Sequence, residues 1–348
     1  MTAQTDKPVL VSVRQATGVL ELNRPRALNS LNPEMIDIIT DALADWRDDD
    51  RVTQVLIVSN SPKGFCAGGD VRHARDQILA GDETGVDEFF RTEYALNNGI
   101  AGYPKPYAAI IDGVVMGGGL GVSAHGSHRI VTDKAFAAMP EMAIGYVTDV
   151  GMSCLFQRMT GTRGQASPAL ATFLGLTGYR LTPADMLWSG LATHHVNSEL
   201  VTALIDAVVT DGIDAALAEY ASVPADKSAL AGMIDDIEAT FGHDTWAGID
   251  AALQSHGNPG FVEQVRGLMA AASPSAVVAT VELFAANRTV ADLRAGLDNE
   301  EKLGEVIRRQ PDFVEGVRAV LVDKTRDAAF RPADTADVDP EPYRAVLS

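Results

Sequence analysis

Tyr107-Ala108-Ala109-Ile110-Ile111-Asp112-Gly113-Val114-Val115-Met116-Gly117-Gly118-Gly119-Leu120-Gly121 joins an unbroken apolar run to a turn dipeptide and then to a glycine triplet. Tyr107–Ile111, bounded by Pro104-Lys105-Pro106 and Asp112-Gly113, reads as a strand. Met116–Ala124 reads as a glycine loop that opens a helix. Three successive glycines weaken a helix start, and that cost points to a use: bare N–H groups at the positive end of a helix, where a ligand oxygen can approach the backbone. An earlier segment repeats the pattern. Gln54-Val55-Leu56-Ile57-Val58-Ser59 is a buried strand, and the glycine-rich loop Lys63–Asp70 ends in Phe65-Cys66-Ala67-Gly68-Gly69-Asp70 before a helical stretch. Singly, each loop is explained by a tight strand–helix turn. Together they can aim two amides at one carbonyl oxygen, the arrangement of an oxyanion hole. Neither is a dinucleotide fingerprint or a P-loop.

Working outward, Val9–Val13 and Val19–Asn23 alternate around Gln15–Gly18 and read as a β-hairpin. Asn32-Pro33 marks a helix start, and Met35, Ile36, Ile39, Leu43 and Trp46 repeat at helical spacing. Helical segments reach about Ala101. Arg129–Val131 is a short strand, and Ser153–Met159, Ser167–Leu174 and Pro183–Trp188 read as helices before a last strand in Leu191–Val196. From Glu199 the pattern is helical, including Glu300–Arg309 and Phe313–Val320, and the tail from Arg331 reads as irregular. The expectation is an α/β core over residues 1–198, carrying the catalytic residues, and a helical region over 199–348.

The net charge of −19 opposes nonspecific binding to nucleic acid or to an anionic membrane, and no apolar run is long enough to span a bilayer. The start, Met1-Thr2-Ala3-Gln4-Thr5-Asp6-Lys7, lacks the features of a secretory signal or transit peptide. Two distant cysteines, Cys66 and Cys154, make neither a disulfide framework nor a zinc site. A cytoplasmic protein is expected.

Phe136–Gly151 holds two carboxylates, Glu141 and Asp149, in an otherwise apolar stretch. Apolar surroundings raise an acid's proton affinity, which suits acid–base work. The plainer reading, a helix cap, is as good for Asp149, which precedes a helical run, and weaker for Glu141.

These segments, with Asn23-Arg24-Pro25 and Leu181-Thr182-Pro183-Ala184-Asp185, resemble the enoyl-CoA hydratase/isomerase (crotonase) superfamily from about Val19 to Pro332. Phe89–Asn98, Ser123–Gly126, Asp149-Val150-Gly151 and Glu315–Lys324 are similar to its 3-hydroxyisobutyryl-CoA hydrolase branch. The resemblance implies the crotonase (ClpP-like) fold, a spiral of ββα units followed by helices. It implies an acyl-CoA substrate, with no metal and no cofactor beyond the coenzyme A of the substrate. The oxyanion amides then fall on Gly69 and Gly118, the catalytic glutamate on Glu141, and the second acid on Asp149. Glu93 falls on a position that contacts substrate. Arg26, Ala27 and Leu28 fall where family members line the adenine and phosphate end of CoA, and Ala67, Gly69 and Asp70 complete the expected CoA-binding set. The superfamily often forms trimers, so a homo-oligomer is compatible.

Hydratases carry a second glutamate just beyond the glycine triplet; here that position is Gly121. Hydrolysis needs one base or nucleophile, an oxyanion hole and a proton for the leaving thiolate. The reading is therefore an acyl-CoA thioester hydrolase acting on 3-hydroxyisobutyryl-CoA in valine breakdown, with Glu141 as nucleophile or general base. The alternatives are an enoyl-CoA hydratase or isomerase and a silent CoA-binding scaffold. Two positions depart from the branch and bear on the loop around Asp149: Thr148 stands where proline is usual, and Met152 where a glycine is. Cys66 has no obvious base, and His125, His128, His194 and His195 lack a ligand spacing, so packing or surface roles are expected for them.

Overall fold

Val9–Arg14 (β1) and Thr17–Leu22 (β2) form the expected antiparallel hairpin, turning at Gln15. Asn32 accepts the Met35 N–H, and Pro33 stands first in Pro33–Arg47 (α1). Gln54–Ser59 (β3) pairs parallel with β2. The structure, a computed structural model, describes residues 7–348; the reading of the start as free of a targeting signal falls almost wholly on residues 1–6, outside the described residues.

The glycine loops hold more order than their composition predicts. Gly64–Cys66 (β4) and Val114–Met116 (β6), which flank or follow Tyr107–Ile111 (β5), are short strands, as is Phe136–Ala138 (β8) after His128–Thr132 (β7). β4, β6 and β8 make a parallel three-stranded sheet beside the main six-stranded one. Three residues are too few for a periodicity to register, so this sheet was invisible as pattern. With His194–Val196 (β9), the main sheet runs β1-β2-β3-β5-β7-β9, parallel after the first hairpin. After the first hairpin, which lies wholly in the main sheet, the pairs β3 and β4, β5 and β6, and β7 and β8 each lay one strand in each sheet, the pattern of a ββα spiral.

The helices that follow are Val71–Leu79 (α2), Glu83–Ala101 (α3), Gly118–Gly121 (α4), Met152–Arg158 (α5), Pro168–Thr177 (α6), Pro183–Ser189 (α7), Val201–Asp211 (α8), Ile213–Tyr220 (α9), Ala229–Phe241 (α10), Trp246–Ser255 (α11), Pro259–Met269 (α12), Pro274–Asn287 (α13), Leu293–Arg308 (α14), Pro311–Val317 (α15) and Glu341–Arg344 (α16). No single helix among the described residues is long and apolar enough to cross a membrane. α14 begins at Leu293 on an Asp292 cap, earlier than its Glu300 onset in the sequence, because Gly296, Asp298 and Asn299 dilute the apolar stripe. α15 ends in a π-turn over Arg318–Val322. The tail is not wholly irregular. A 3-10 turn over Thr335–Asp337 precedes α16, where Tyr343 is buried and Arg344 forks onto Glu282 through Nε and Nη2, each at 2.8 Å.

Alternation along the central strands buries both faces of the sheet. Leu56, Val58, Ala108 and Ile110 meet Leu204, Val208 and Leu217 of α8 and α9 on one side. Val55, Ile57, Tyr107, Ala109 and Ile111 face the main core, which continues into Phe241, Phe284, Leu303 and Phe313 of the later helices. One apolar core therefore runs through both sequence regions and brings α14 and α15 against the segments that carry the acids.

Candidate active site

The two glycine loops meet. A Cβ placed on Gly118 would lie 3.1 Å from the Gly69 nitrogen and would collide with Glu93 Oε1. Gly118 opens α4, where a first-turn N–H has no intrahelical acceptor. Neither the Gly69 nor the Gly118 N–H donates to another group among the described residues. The loops are braced from the Arg24–Leu31 segment. Ala67 N–H donates to the Leu28 carbonyl at 3.0 Å, Leu31 N–H to Gly68 at 2.8 Å and Asp70 N–H to Leu31 at 2.7 Å. Leu28 and Asn29 take left-handed conformations, φ 50° and 54°, and the Asn29 amide ties the bend to Ser59 and to the Phe65 carbonyl.

The residues expected at the CoA end thus border the first loop. Arg26 is exposed, with Ala27 and Leu28 half-buried beside it. Asp70 caps α2 through the His73 N–H and pairs with Arg24 at 3.2 Å. The N–H groups of Ala67 and Asp70 and the Asp70 carboxylate are therefore already engaged, whereas the Gly69 N–H faces the second loop.

Glu93 comes from the inward face of α3, which also presents Phe90, Tyr94 and Asn97. Burial, with the Asp149 charge nearby, pushes its carboxyl up to about 8. Its Oε1 has no hydrogen-bond partner. Glu141 opens a 3-10 turn, Glu141–Ile144, just after β8. A Cβ on Gly117, itself at φ +45°, would come within 3.0 Å of Glu141 Oε1. The Oε2 of Glu141 is buried without a partner, and burial first, then the charges of Asp149 and Glu93, hold this carboxyl well above the usual range. Three acids crowding one dry space favour the protonated form of each.

Asp149 accepts the Tyr94 hydroxyl at 2.7 Å. Burial raises it to about 7, against the pull of that hydrogen bond and of Arg308. Its loop keeps a defined shape despite Thr148 and Met152. The Thr148 hydroxyl donates to the Gly175 carbonyl at 3.0 Å, His125 Nε2 donates to the Val150 carbonyl at 2.7 Å, and Gly151 N–H donates to Glu300 Oε2 at 2.7 Å. These bonds hold Val150 at φ 52°, a strained angle for a β-branched residue. Asp149 is not a helix cap: α5 is capped by Gly151 with no side-chain bond.

The C-terminal helices back this arrangement. Ser273 N–H donates to the Met142 carbonyl at 2.9 Å. Gly316 packs on Ile144, and Gly145 on the Asp312 backbone, so close that neither glycine has room for a Cβ. Within Glu315–Lys324, Glu315 and Arg318 join through two 2.8 Å bonds and brace the turn.

The structure therefore brings Gly69, Gly118, Glu93, Glu141 and Asp149 together. Cys66 is excluded as a nucleophile: it is buried, donates to the Asn29 carbonyl at 3.0 Å, and burial pushes its thiol up to about 12. His125 belongs to the Asp149 loop; half-buried, and held neutral down to about 4 by loss of solvation, it acts as a fixed donor. His128 and His194 stack on each other at 5.8 Å, and His195 bonds Ser222. The sequence reading missed Tyr94, Tyr146, Arg308 and Glu300, whose partners lie elsewhere in the chain, and Asn97, whose amide covers the face of Gly121. Glu93, Tyr94 and Asn97 at helical spacing were the available signal.

A family model described as enoyl-CoA hydratase/isomerase matches residues 17–347. The 3-hydroxyisobutyryl-CoA hydrolase of Homo sapiens is 36% identical over 98% of this chain and 89% of its own length. That of Xenopus tropicalis is 36% identical over 94% of this chain and 85% of its own. Among solved structures, one described as a carnitinyl-CoA dehydratase from Mycobacterium thermoresistibile superposes with a TM-score of 0.90 at 38% identity, covering 99% of this chain and 97% of that one. Another, described as an enoyl-CoA hydratase from Rhodobacter sphaeroides, gives 0.87 at 34%, covering 98% and 97%.

Proposed function

The chain belongs to the enoyl-CoA hydratase/isomerase (crotonase) family, and from that premise we propose that it hydrolyses an acyl-CoA thioester, with 3-hydroxyisobutyryl-CoA as the preferred substrate. One observation carries the reading. The buried carboxyls of Glu93 and Glu141 stand at the bare faces of Gly118 and Gly117, and each keeps one oxygen without a hydrogen-bond partner, while the face of Gly121 meets the Asn97 amide and no acid. The thioester oxygen accepts from the Gly69 and Gly118 N–H groups, which stabilise charge developing on it. Glu141 acts on the carbonyl carbon either through a water it deprotonates or as a nucleophile, in which case water then hydrolyses the anhydride it forms with the acyl group, and Asp149 supplies a proton to the departing thiolate. Coenzyme A enters as part of the substrate and leaves as product.

The names of the relatives support the thioester chemistry, since both the human and the frog protein are called 3-hydroxyisobutyryl-CoA hydrolases. A second reading, hydration of an enoyl-CoA, is favoured by the descriptions of the two solved structures. Purified protein incubated with 3-hydroxyisobutyryl-CoA and a thiol reagent decides between them. Release of free CoA, abolished by Glu141→Ala, supports hydrolysis. Hydration of crotonyl-CoA with no thiol release overturns it.

A further inference from the structure

Asn97 lies on α3 one turn beyond Glu93 and is fully buried. Its amide Nδ2 and Oδ1 both lack a hydrogen-bond partner. The other unpartnered amide or guanidinium atoms, such as Gln157 Oε1 and Arg163 Nη1, belong to groups bonded through a second atom. Among the described residues, Asn97 is the side chain that leaves a donor and an acceptor unpaired together. Leucine has the same branched outline and carries no polar atom that needs a partner. The amide therefore has a use outside the folded chain's own contacts.

Its surroundings say where that use lies. A Cβ on Gly121 would come within 2.8 Å of Asn97 Nδ2, 3.1 Å of Oδ1 and 3.0 Å of the Val150 Cβ. Asn97 thus covers the bare face of Gly121 beside the residue that follows Asp149. Along one glycine run, Glu141 stands at Gly117, Glu93 at Gly118 and Asn97 at Gly121, each with a buried, unpartnered polar atom. From Gly118 to Gly121 is about 4.5 Å along a helix axis. A thioester oxygen held at the Gly118 N–H places the acyl chain, a carbon or two on, within reach of Asn97.

We propose that Asn97 is a specificity-determining residue that reads a hydroxyl on the acyl group. This rests on the hydrolase reading above. A hydroxyl donates and accepts, which matches an amide offering one acceptor and two donors. An alkyl group satisfies neither amide atom, and an anionic acyl group would add a charge to a buried space whose burial already favours neutral Glu93, Glu141 and Asp149.

The test compares kcat/KM for 3-hydroxyisobutyryl-CoA and isobutyryl-CoA, which differ by that hydroxyl, in the wild type and in Asn97→Leu. The wild type is expected to prefer the hydroxylated substrate by about a hundredfold or more. Asn97→Leu is expected to cut that preference to below about tenfold by slowing the hydroxylated substrate alone, with a melting temperature equal to or above the wild type's. Asn97→Ser serves if leucine does not fold. A variant that keeps the wild-type preference overturns the assignment while leaving the hydrolase intact. Equal use of both thioesters by the wild type overturns it without any variant. Release of CoA from neither overturns the hydrolase reading itself, and this inference with it.

Discussion

The Tyr94 hydroxyl donates to the Asp149 carboxylate across 2.7 Å, and it stands 3.2 Å from the hydroxyl of Tyr146. Arg308 donates to Tyr146 at 2.8 Å and pairs with Asp87 at 2.7 Å. A buried acid is thus connected, through two phenols and a guanidinium, to an ion pair near the surface. The connection opposes burial, which alone would drive Asp149 higher than about 7.

Removing the first link tests this. Tyr94→Phe deletes one hydrogen bond to a charged acceptor, worth about 1.5–3 kcal/mol. The pKa of Asp149 should rise by about one to two pH units. Whichever limb of the activity profile Asp149 controls then moves to higher pH, as base or as acid. Arg308→Met should move it the same way and also destabilise the fold, because Arg308 is 2% exposed and its loss leaves Asp87 with Arg309 as its remaining arginine partner. The check is kcat/KM against pH for both variants; a limb that stays in place in Tyr94→Phe refutes the link.

Stability should fall as pH rises. Glu93 and Glu300, at about 8, and Asp149, at about 7, are raised by burial above their unfolded values, as is Glu141. An acid raised in the native state binds more protons there than when unfolded. Its stabilising share is complete below the unfolded value, near 4, and is lost as pH passes the folded one. The free energy of unfolding by urea should therefore be higher at pH 5 than at pH 8.5. Glu93→Gln, which cannot ionise, should recover roughly 1–3 kcal/mol at pH 8.5 and little at pH 5, while lowering activity. Equal gains at both pH values would count against ionisation as the cause.

Gly118→Ala tests the close approach of the loops. The added methyl runs into Glu93 Oε1 and sits about where Gly69 N–H must reach a substrate oxygen. Loss of a well-aimed donor costs about a hundredfold in kcat or more. Thiol release under saturating substrate measures it, and a variant within tenfold of wild type removes Gly118 from the assigned role.

Much of this site was legible as sequence for identifiable reasons. Asn32-Pro33 and Ser167-Pro168 announce helix starts because capping is local chemistry. Glu141 and Asp149 stand out because an acid in apolar surroundings is rare. Tyr94 and Arg308 do not stand out: one reads as a core aromatic on a helix, the other as a surface base near a helix end, and only tertiary contact joins them. Thr148 and Met152 raised doubt about the Asp149 loop, yet its shape is held by His125, Glu300 and Gly175, residues that no local pattern connects to it. Glu315–Lys324 was visible as a motif without a reason. Its reason is the contact with the turn that carries Glu141.

That contact gives a last prediction. Gly316 lies against Ile144 with a Cβ position only 2.6 Å from the Ile144 Cα and carbonyl oxygen, and Gly145, at φ +66°, lies 2.9 Å by the same measure from the Phe313 nitrogen. The obstacles are backbone, so no side chain can rotate aside. Gly316→Ala must part α15 from the Glu141–Ile144 turn, with an overpacking cost of about 1–3 kcal/mol. The separation tilts the turn whose first residue is Glu141, so kcat should fall by tenfold or more, with a smaller change in KM. Gly99→Ala provides the contrast. It sits inside α3 with nothing within 4 Å of its Cβ position, and alanine there should raise stability by about 0.5–1 kcal/mol. If Gly316→Ala loses stability but keeps its kcat, the clamp is structural only, and the orientation of Glu141 depends on β8 and the glycine loops alone.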